Sequence, residues 1–194
     1  MTYKRSYLLS DIMTKRIAMV TGKGGVGKTT CSLLVAAALQ DNGFDVVLDD
    51  RDPQRSATFL APNMGLRIGT EAAFVVIDTP PNVENPAMLD AVRTADVVVL
   101  ITSPSPSDMS TTAATAETIK RERHKKTVVL INKVRSNTIL SREVEHTAGL
   151  LPFERLKNSL ADRQNYQKAQ LHGWKALSKL EQNEMLKVAL EIMA

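Results

Sequence analysis

The feature that most constrains the fold is a glycine-rich octapeptide near the amino end of the chain. It reads Gly22-Lys23-Gly24-Gly25-Val26-Gly27-Lys28-Thr29 and matches the pattern G-x-x-x-x-G-K-[ST]. An apolar run typical of a strand precedes it at residues 17–20, and a helical pattern follows it at residues 29–40. In that setting the glycines allow positive φ angles, and backbone N–H groups turn inward onto phosphate oxygens. The sequence therefore predicts a nucleoside triphosphate site between a strand and a helix.

Three side chains of this loop have distinct expected tasks. Lys28 should reach the β- and γ-phosphates, and Thr29 should give its hydroxyl to Mg²⁺. Lys23 is a second lysine at the mouth of the loop, where an ordinary phosphate loop needs none. A cation placed there can meet the phosphates of a facing subunit and stabilise transition-state charge, as an arginine finger does in trans. The alternative is an incidental exposed lysine.

Five short apolar runs predict the strands of one sheet. They are continuous rather than alternating and rich in β-branched residues, which is typical of parallel strands buried on both faces. The runs are 17–20, 46–48, 74–77, 97–101 and 128–131, and helices are predicted at 29–40, 108–121, 153–169 and 177–192. We therefore expect a single doubly wound, mostly parallel α/β domain with helices on both faces, over residues 15–194. Residues 1–14 are expected to form a short N-terminal extension.

Acidic residues follow two of the predicted strands. The run 46–48 leads into Asp49, Asp50 and Asp52, and the run 74–77 leads directly into Asp78. In a parallel sheet both strand ends meet at the carboxyl edge, where the phosphate loop also lies. We expect Asp50 and Asp78 to join Thr29 around Mg²⁺, and Asp52 to position the attacking water. Turn-forming aspartates are the alternative, since Asp is common in turns.

Charge is concentrated in one stretch of the chain. The formal net charge of the 194 residues is +4, but residues 120–135 alone hold seven Lys/Arg and a single Glu. Such clustering is typical of a surface that binds a polyanion, and an ordinary solvated helix end is the alternative. The six candidate DNA-binding residues are Arg121, Arg123, Lys125, Lys126, Arg163 and Lys168.

Cysteine content and hydropathy argue for a cytoplasmic protein. Cys31 is the only cysteine, so no disulfide can form within the chain. The apolar runs are too short to span a bilayer, and residues 1–10 lack the pattern of a signal peptide.

The N-terminal motifs resemble those of the ParA/MinD family of deviant Walker ATPases. The loop from Lys23 to Thr30 has that family's second lysine. Residues 50–56 resemble its first switch, and residues 78–81 its second. Residues 102–108 are similar to the proline-rich turn of small plasmid-partition ParA proteins that lack an N-terminal helix-turn-helix domain.

The C-terminal part also resembles the family. Asn132 falls where the family has a base-contacting asparagine, and residues 151–152 and 162–169 look like its C-terminal segments. The resemblance implies that ATP contacts the loop residues Gly22, Lys23, Gly24, Gly25, Val26, Gly27, Lys28, Thr29 and Thr30, together with Asn132 and Pro152.

The resemblance implies a function as well as a fold. Its cofactors would be ATP and Mg²⁺, with Lys23, Lys28 and Asp52 acting in weak hydrolysis of ATP to ADP and phosphate. The ATP state would be a homodimer that binds DNA without sequence preference and answers to a ParB-like or other adaptor protein. The role would be partition of a plasmid or chromosome, or positioning of another cargo, in a nucleoid-associated protein that binds no membrane.

Other functions stay open at this stage. The stretch 53–77 is shorter than the family usually has, so the strand count and the first switch are uncertain points of the resemblance. A small-molecule enzyme on the same scaffold, such as a dethiobiotin-synthetase-like ligase or a nucleotide kinase, is the main alternative. A MinD-like membrane ATPase would need a basic amphipathic C-terminal helix. Residues 175–194 mix three lysines with three glutamates, which favours a docked closing helix instead.

Overall fold

A single parallel sheet organises the molecule. The computed structural model describes residues 14–122, 126–135, 138, 139, 143, 149 and 151–194. In this part of the chain seven strands pair in the order β3-β2-β4-β1-β5-β6-β7, every neighbouring pair being parallel. The strands are β1 (Lys15–Val20), β2 (Val46–Asp50), β3 (Arg67–Ile68), β4 (Phe74–Asp78), β5 (Val97–Thr102), β6 (Thr127–Ile131) and β7 (Glu154–Arg155). The predicted α/β class is confirmed, and so are all five predicted strands.

Six α-helices with described bounds accompany the sheet. They are α1 (Lys28–Asp41), α2 (Ser56–Leu60), α3 (Pro86–Thr94), α4 (Pro106–Arg121), α5 (Gln164–His172) and α6 (Lys179–Met193). Two 3₁₀ turns, Ala61–Met64 and Trp174–Ala176, follow α2 and α5. The helices predicted at 29–40, 108–121 and 177–192 therefore exist, with shifts of a few residues at their ends.

The five predicted strands are buried on both faces, as their continuous apolar runs predict, whereas the short edge strands β3 and β7 are more exposed. Ile17 and Met19 of β1 pack with α1, α5 and α6, whereas Ala18 and Val20 pack with α3 and α4. Side chains alternate across a strand with a period of two, so each of these five strands supplies both layers of the core. The sheet is thus the middle layer of a three-layer sandwich.

Strand order brings the acidic strand ends together. Because β4 lies between β2 and β1, Asp50 and Asp78 are direct cross-strand partners in the register. Asp78 in turn pairs with Met19 near the end of β1, just before the phosphate loop. The sheet therefore places both carboxylates at the edge that carries the loop, as expected for a doubly wound fold.

One predicted helix is wrong over most of its length. Of the predicted helix at 153–169 only the last turns exist, as the start of α5. Glu154–Arg155 pair with β6 as an edge strand, and the backbone N–H groups of Lys157 and Asn158 donate to the carboxylate of Glu191 on α6, at 2.9 and 3.0 Å. These tertiary contacts satisfy the backbone without helical hydrogen bonds, so they override the apolar periodicity.

Helix α3 was not predicted, although its start has a recognisable signal. The Asn85 side chain accepts a hydrogen bond from the Ala87 N–H, and Pro86 occupies the first helical position. Asparagine as the N-cap followed by proline is a typical helix start.

The short stretch 53–77 still forms a complete edge to the sheet. It holds α2, a 3₁₀ turn and the two-residue strand β3, which pairs with β2 at Val47 and Leu48. The turn ends at Gly65, whose φ of 70° suits glycine. The shortness of this stretch has therefore not removed the edge strand.

The closing helix α6 packs on the face of the sheet that is also covered by α1. Met185, Val188, Ala189 and Ile192 are fully buried in that layer of the core. Ser178 and Glu181 form a reciprocal capping box at its start. The prediction of a docked closing helix is confirmed.

Met185→Ala is therefore expected to lower the free energy of unfolding by about 2–5 kcal/mol, since it opens a cavity under α6. Urea denaturation followed by circular dichroism measures this. Leu180→Ala, on the same helix but 64% exposed, serves as the matched control and should change stability by less than about 0.5 kcal/mol. Equal effects of both substitutions would contradict the docking of α6.

Candidate nucleotide-binding site

A cleft of about 360 Å³ opens at the carboxyl edge of the sheet. The phosphate loop and the start of α1 form its floor, and the first switch contributes Asp52, Gln54 and Ser56. The opposite wall comes from the end of β6 and from the segment that leads into α5. Further lining residues are Thr21, Pro81, Asn132, Lys133, Ala161, Asp162, Arg163, Tyr166 and Gln167. The sequence-predicted loop and Asp52 thus face one cavity.

The loop has the backbone that its glycines predict. Gly25 and Gly27 adopt φ of 85° and 97°, in the left-handed region. A Cβ on Gly27 would lie 2.4 Å from the side-chain nitrogen of Asn132. At Gly22 a Cβ would lie 2.1 Å from the Thr115 hydroxyl of α4. The loop is therefore packed tightly between β6 and α4.

Asp78 anchors the start of α1. Its side chain is fully buried, and it accepts hydrogen bonds of 2.8 Å from the Lys28 ammonium and from the hydroxyls of Thr29 and Ser32. Lys28 is itself buried, and its Nζ lies 4.0 Å from an Asp52 carboxylate oxygen. Lysine, hydroxyl and two carboxylates are thus gathered at the phosphate loop. Ser32 is a member of this cluster that the sequence analysis missed, although it lies one helical turn beyond Lys28.

The two acidic residues of the first switch have different surroundings. Asp52 lines the cleft, and one of its oxygens accepts from the Gln54 N–H at 3.0 Å. Asp50 accepts from the Asp52 N–H and, at 2.7 and 2.8 Å, from the N–H and hydroxyl of Thr58. Asp50 therefore connects the first switch to α2. That Asp50 also binds Mg²⁺ stays a prediction.

The charge of Asp49, near the end of the buried strand β2, is paired with Arg51. Arg51 donates from Nε to Asp49 at 2.8 Å and from a terminal nitrogen to Asp90 of α3 at 2.7 Å. A charged residue near the end of β2 is thus tolerated because Arg51 bridges it to the adjacent helix.

Lys23 points away from the cleft floor. Its side chain is 45% exposed, and Nζ lies 2.6 Å from an Asp108 oxygen and 2.9 Å from the Ser107 hydroxyl, both in the first turn of α4. Partial burial raises the pKa of Asp108, but hydrogen bonds from Lys23 and Ser103 outweigh this and hold the pKa below its usual value. The second lysine therefore lies at the rim, held by a carboxylate.

On the wall formed by the end of β6 and the segment before α5, one residue predicted to contact the nucleotide is missing from the cleft lining. Asn132 lies at the loop, with its side-chain nitrogen donating to the Val26 carbonyl at 2.8 Å. Pro152 is exposed, and the described cleft lining does not include it. Ala161, paired with Val134 in an isolated parallel bridge, brings Asp162 to that wall instead.

Cys31 takes no part in the chemistry of the cleft. It is buried on the first turn of α1, and burial raises the pKa of its thiol to about 12. The thiol is therefore protonated near neutral pH and is a poor nucleophile.

Comparison with known proteins identifies the architecture. Residues 17–175 match the family model described as the CobQ/CobB/MinD/ParA nucleotide binding domain. The chain belongs to this family. It is a P-loop protein of the ParA/MinD type, a family whose members include ATPases, which agrees with the predicted ATPase activity.

Two curated relatives share one name. The maintenance of carboxysome distribution protein A of Gloeobacter kilaueensis is 37% identical over 123 residues, which cover 54% of this chain and 55% of that protein. The protein of the same name from Halothiobacillus neapolitanus is 25% identical over 182 residues, covering 81% and 84%. This chain thus spans about half the length of the first relative.

Solved structures agree with the fold. The MinD cell division protein of Aquifex aeolicus superimposes with a TM-score of 0.77 at 17% identity, covering 93% of this chain and 97% of that chain. Cobyrinic acid a,c-diamide synthase of Mycobacterium smegmatis, solved with an ATP analogue and magnesium, gives 0.71 at 18% identity, covering 91% and 93%. At these identities the likeness shows the fold alone.

The four candidate DNA-binding residues that the structure describes do not lie on one surface. Arg121 is exposed at the end of α4, and Lys126 lies just before β6, at the amino edge of the sheet. Arg163 lines the cleft at the carboxyl edge and pairs with Glu184 at 2.5 Å. Lys168 is exposed on α5. Arg123 and Lys125 lie outside the described residues.

The basic stretch 120–135 therefore has two parts. Strand β6 spans roughly 17 Å at 3.3 Å per residue, and it separates Lys126 from Lys133 and Arg135. Lys133 and Arg135 are engaged at the cleft, with the Gly25 carbonyl and with Asp162. These two parts lie at opposite edges of the sheet, and a polyanion-binding surface stays a prediction, which we place at the end of α4.

Two features of the described residues bear on metals and membranes. No cluster of three or more His, Cys, Asp or Glu side chains there is arranged to hold a metal ion. Within the same residues, no helix combines the length and apolarity that crossing a bilayer requires.

Gly27→Ala is expected to weaken ATP binding at least about tenfold, because the new Cβ meets Asn132 and the left-handed backbone disfavours alanine. Titration with a fluorescent ATP analogue measures the affinity. Gly69→Ala is the control, since its Cβ meets only ordinary contacts with Val47. Wild-type affinity in the Gly27 variant would contradict the observed loop packing.

Proposed function

We propose that this chain is an ATP-driven dimerisation switch that positions a cargo by binding DNA without sequence preference. ATP bound in the cleft would bring two copies face to face, with Lys23 of each copy directed at the nucleotide of the other. The clamped dimer would hold DNA, and hydrolysis under the control of an adaptor protein would release it.

The position of Lys23 carries this proposal. Its ammonium lies at the rim of the cleft rather than with Lys28 on the floor, and nearly half of its side chain is exposed. A cation that served only its own nucleotide would be better placed beside Lys28. An exposed cation at the rim is available to stabilise charge in a facing site, as arginine fingers do.

The residues of the floor fit MgATP. The loop leaves space for the phosphates at Gly24 and Gly25, where an added Cβ would meet nothing within 4 Å. Magnesium usually takes only one or two protein oxygens besides phosphate oxygens and water, and Thr29 and Asp78 are hydrogen-bonded neighbours at 2.8 Å. Bound magnesium would neutralise phosphate charge during transfer.

The protein's own groups then act by position and charge. Lys28, held at 2.8 Å from Asp78, supplies a fixed positive charge at the end of the loop. Asp52 lies in the cleft with its carboxylate oriented by the Gln54 N–H, where it can orient a water molecule toward the terminal phosphate. Phosphoryl transfer requires little more than such positioning and electrostatic stabilisation.

The curated relatives support cargo positioning. Both carry the name maintenance of carboxysome distribution protein A, and one of them matches over 81% of this chain. Fold and family are equally compatible with plasmid partition. The proposed cargo is therefore either a plasmid or a large cellular body such as a carboxysome. DNA is the proposed binding partner because the last turn of α4 ends in two exposed basic side chains, Lys120 and Arg121.

Lys23→Gln is expected to abolish ATP-dependent dimerisation at micromolar protein and to lower turnover by about 100-fold, the typical effect of removing one donor to transition-state charge. Sedimentation velocity with ATP and Mg²⁺, and phosphate release, measure the two effects. Lys187→Gln, an exposed lysine on α6, is the control and should behave as wild type. ATP-dependent dimers of undiminished affinity in the Lys23 variant would refute the trans role.

A second experiment tests the DNA surface. Joint replacement of Lys120 and Arg121 by alanine should weaken binding of non-specific duplex DNA and reduce the slope of log affinity against log salt by about 2, roughly 0.9 for each lost phosphate contact. Fluorescence anisotropy at several salt concentrations gives the slope. The control is the equally charged pair Lys179 and Lys187 on α6. An unchanged slope in the Lys120/Arg121 variant would exclude this end of α4 from the DNA surface.

A further inference from the structure

A third lysine lies against the phosphate loop. The Nζ of Lys133 donates to the carbonyl oxygen of Gly25 at 2.6 Å. A Cβ built on Gly27 would lie 3.8 Å from Cε of Lys133, so the alkyl chain runs across Gly27 on its way to Gly25. Neither the phosphate-loop pattern nor the two acidic switches includes this residue.

Lys133 adopts a backbone conformation that is unfavourable for lysine, which indicates that its side chain has a role at the loop. Its φ is 58°, in the left-handed region, and among the described non-glycine residues only Arg55 shares a positive φ. Lysine disfavours this conformation, whereas glycine or asparagine adopts it readily. This residue directly follows Asn132, and both side chains contact the loop.

The two residues hold consecutive carbonyls of the loop. Asn132 donates to the carbonyl of Val26 at 2.8 Å, and Lys133 donates to that of Gly25. In a planar trans peptide, C=O and N–H point in opposite directions. When these carbonyls face residues 132 and 133, the N–H groups of Val26 and Gly27 face the other way.

Carbonyl orientation matters in an anion site. A carbonyl oxygen turned toward a phosphate would repel it, whereas the N–H group of the same peptide attracts it. A Cβ on Gly25 would meet nothing within 4 Å, and the φ of this residue is one that only glycine adopts freely, so its own contacts do little to fix the following peptide. A charged donor on its carbonyl supplies the missing restraint.

We propose that Lys133 is a positioning residue for ATP and ADP, which fixes the Gly25–Val26 peptide of the phosphate loop with its N–H available to the β-phosphate. Lys133 acts through the loop backbone rather than on the reacting atoms. Its contribution is therefore to nucleotide affinity, common to ATP and ADP.

Three substitutions at this position test the proposal. Lys133→Met removes the donor and keeps the alkyl chain, Lys133→Gly removes the donor and relieves the left-handed strain, and Lys133→Arg keeps a charged donor. Loss of a charge-assisted hydrogen bond corresponds to about 10- to 100-fold in affinity. We expect this loss for both ATP and ADP in the Met and Gly variants, with substantial recovery in the Arg variant.

Calorimetric titration of the full chain, without DNA, measures both affinities, and thermal unfolding without nucleotide measures stability. Lys187→Met is the matched control. The Gly variant should match or exceed the Met variant in stability while losing the same affinity, which a merely structural role would not produce. Steady-state kinetics should show a raised KM with little change in kcat.

Two results would overturn the role of Lys133. One is wild-type affinity for both nucleotides in the Met and Gly variants. The other is a loss confined to ATP, because this would place the charge at the terminal phosphate. Failure of the wild-type chain itself to bind ATP would instead refute the nucleotide site.

Discussion

The buried carboxylate of Asp78 is the interaction on which the rest of the site depends. A fully buried charge is strongly unfavourable unless it is paired and hydrogen-bonded. Asp78 meets that requirement with Lys28, Thr29 and Ser32, all from the first turn and a half of α1. Because Asp78 ends β4 next to β1, these bonds fasten the helix to the sheet at the point where the phosphate loop closes. Removal of any one partner would leave charge or polar atoms buried without compensation.

Local signals made much of this site predictable. The strand–loop–helix unit, Asp52 and Asp78 follow from apolar runs and from the rule that parallel strands end at a common edge. The sequence also predicted Asn132 at the nucleotide, and the structure places it at the loop. What failed depended on contacts between distant segments. Glu191 satisfies the backbone at 157–158 and prevents a helix there, and no periodicity in 153–169 contains that information.

Three other residues show what spacing and resemblance leave out. Asp50 was assigned to the metal by its spacing from Asp52, but its partner Thr58 becomes apparent only once α2 folds back on the strand end. Pro152 was assigned by resemblance, whereas the chain reaches the cleft nine residues later, where Ala161 pairs beside Val134. Lys133 was counted as part of a basic stretch. Its left-handed backbone and its bond to Gly25 depend on loop geometry, which its place in a basic stretch of sequence does not reveal.

Helix α4 runs from the carboxyl edge of the sheet to the amino edge. Its 16 residues make a rod about 24 Å long. The first turn of the rod holds Lys23 through Asp108, and its last turn ends in Arg121. Gly22 is also in close contact with the rod, through Thr115. If Lys23 left Asp108 for a facing nucleotide, as proposed above, the helix would lose a contact at its first turn, and the same helix ends in a basic side chain at the opposite edge of the sheet.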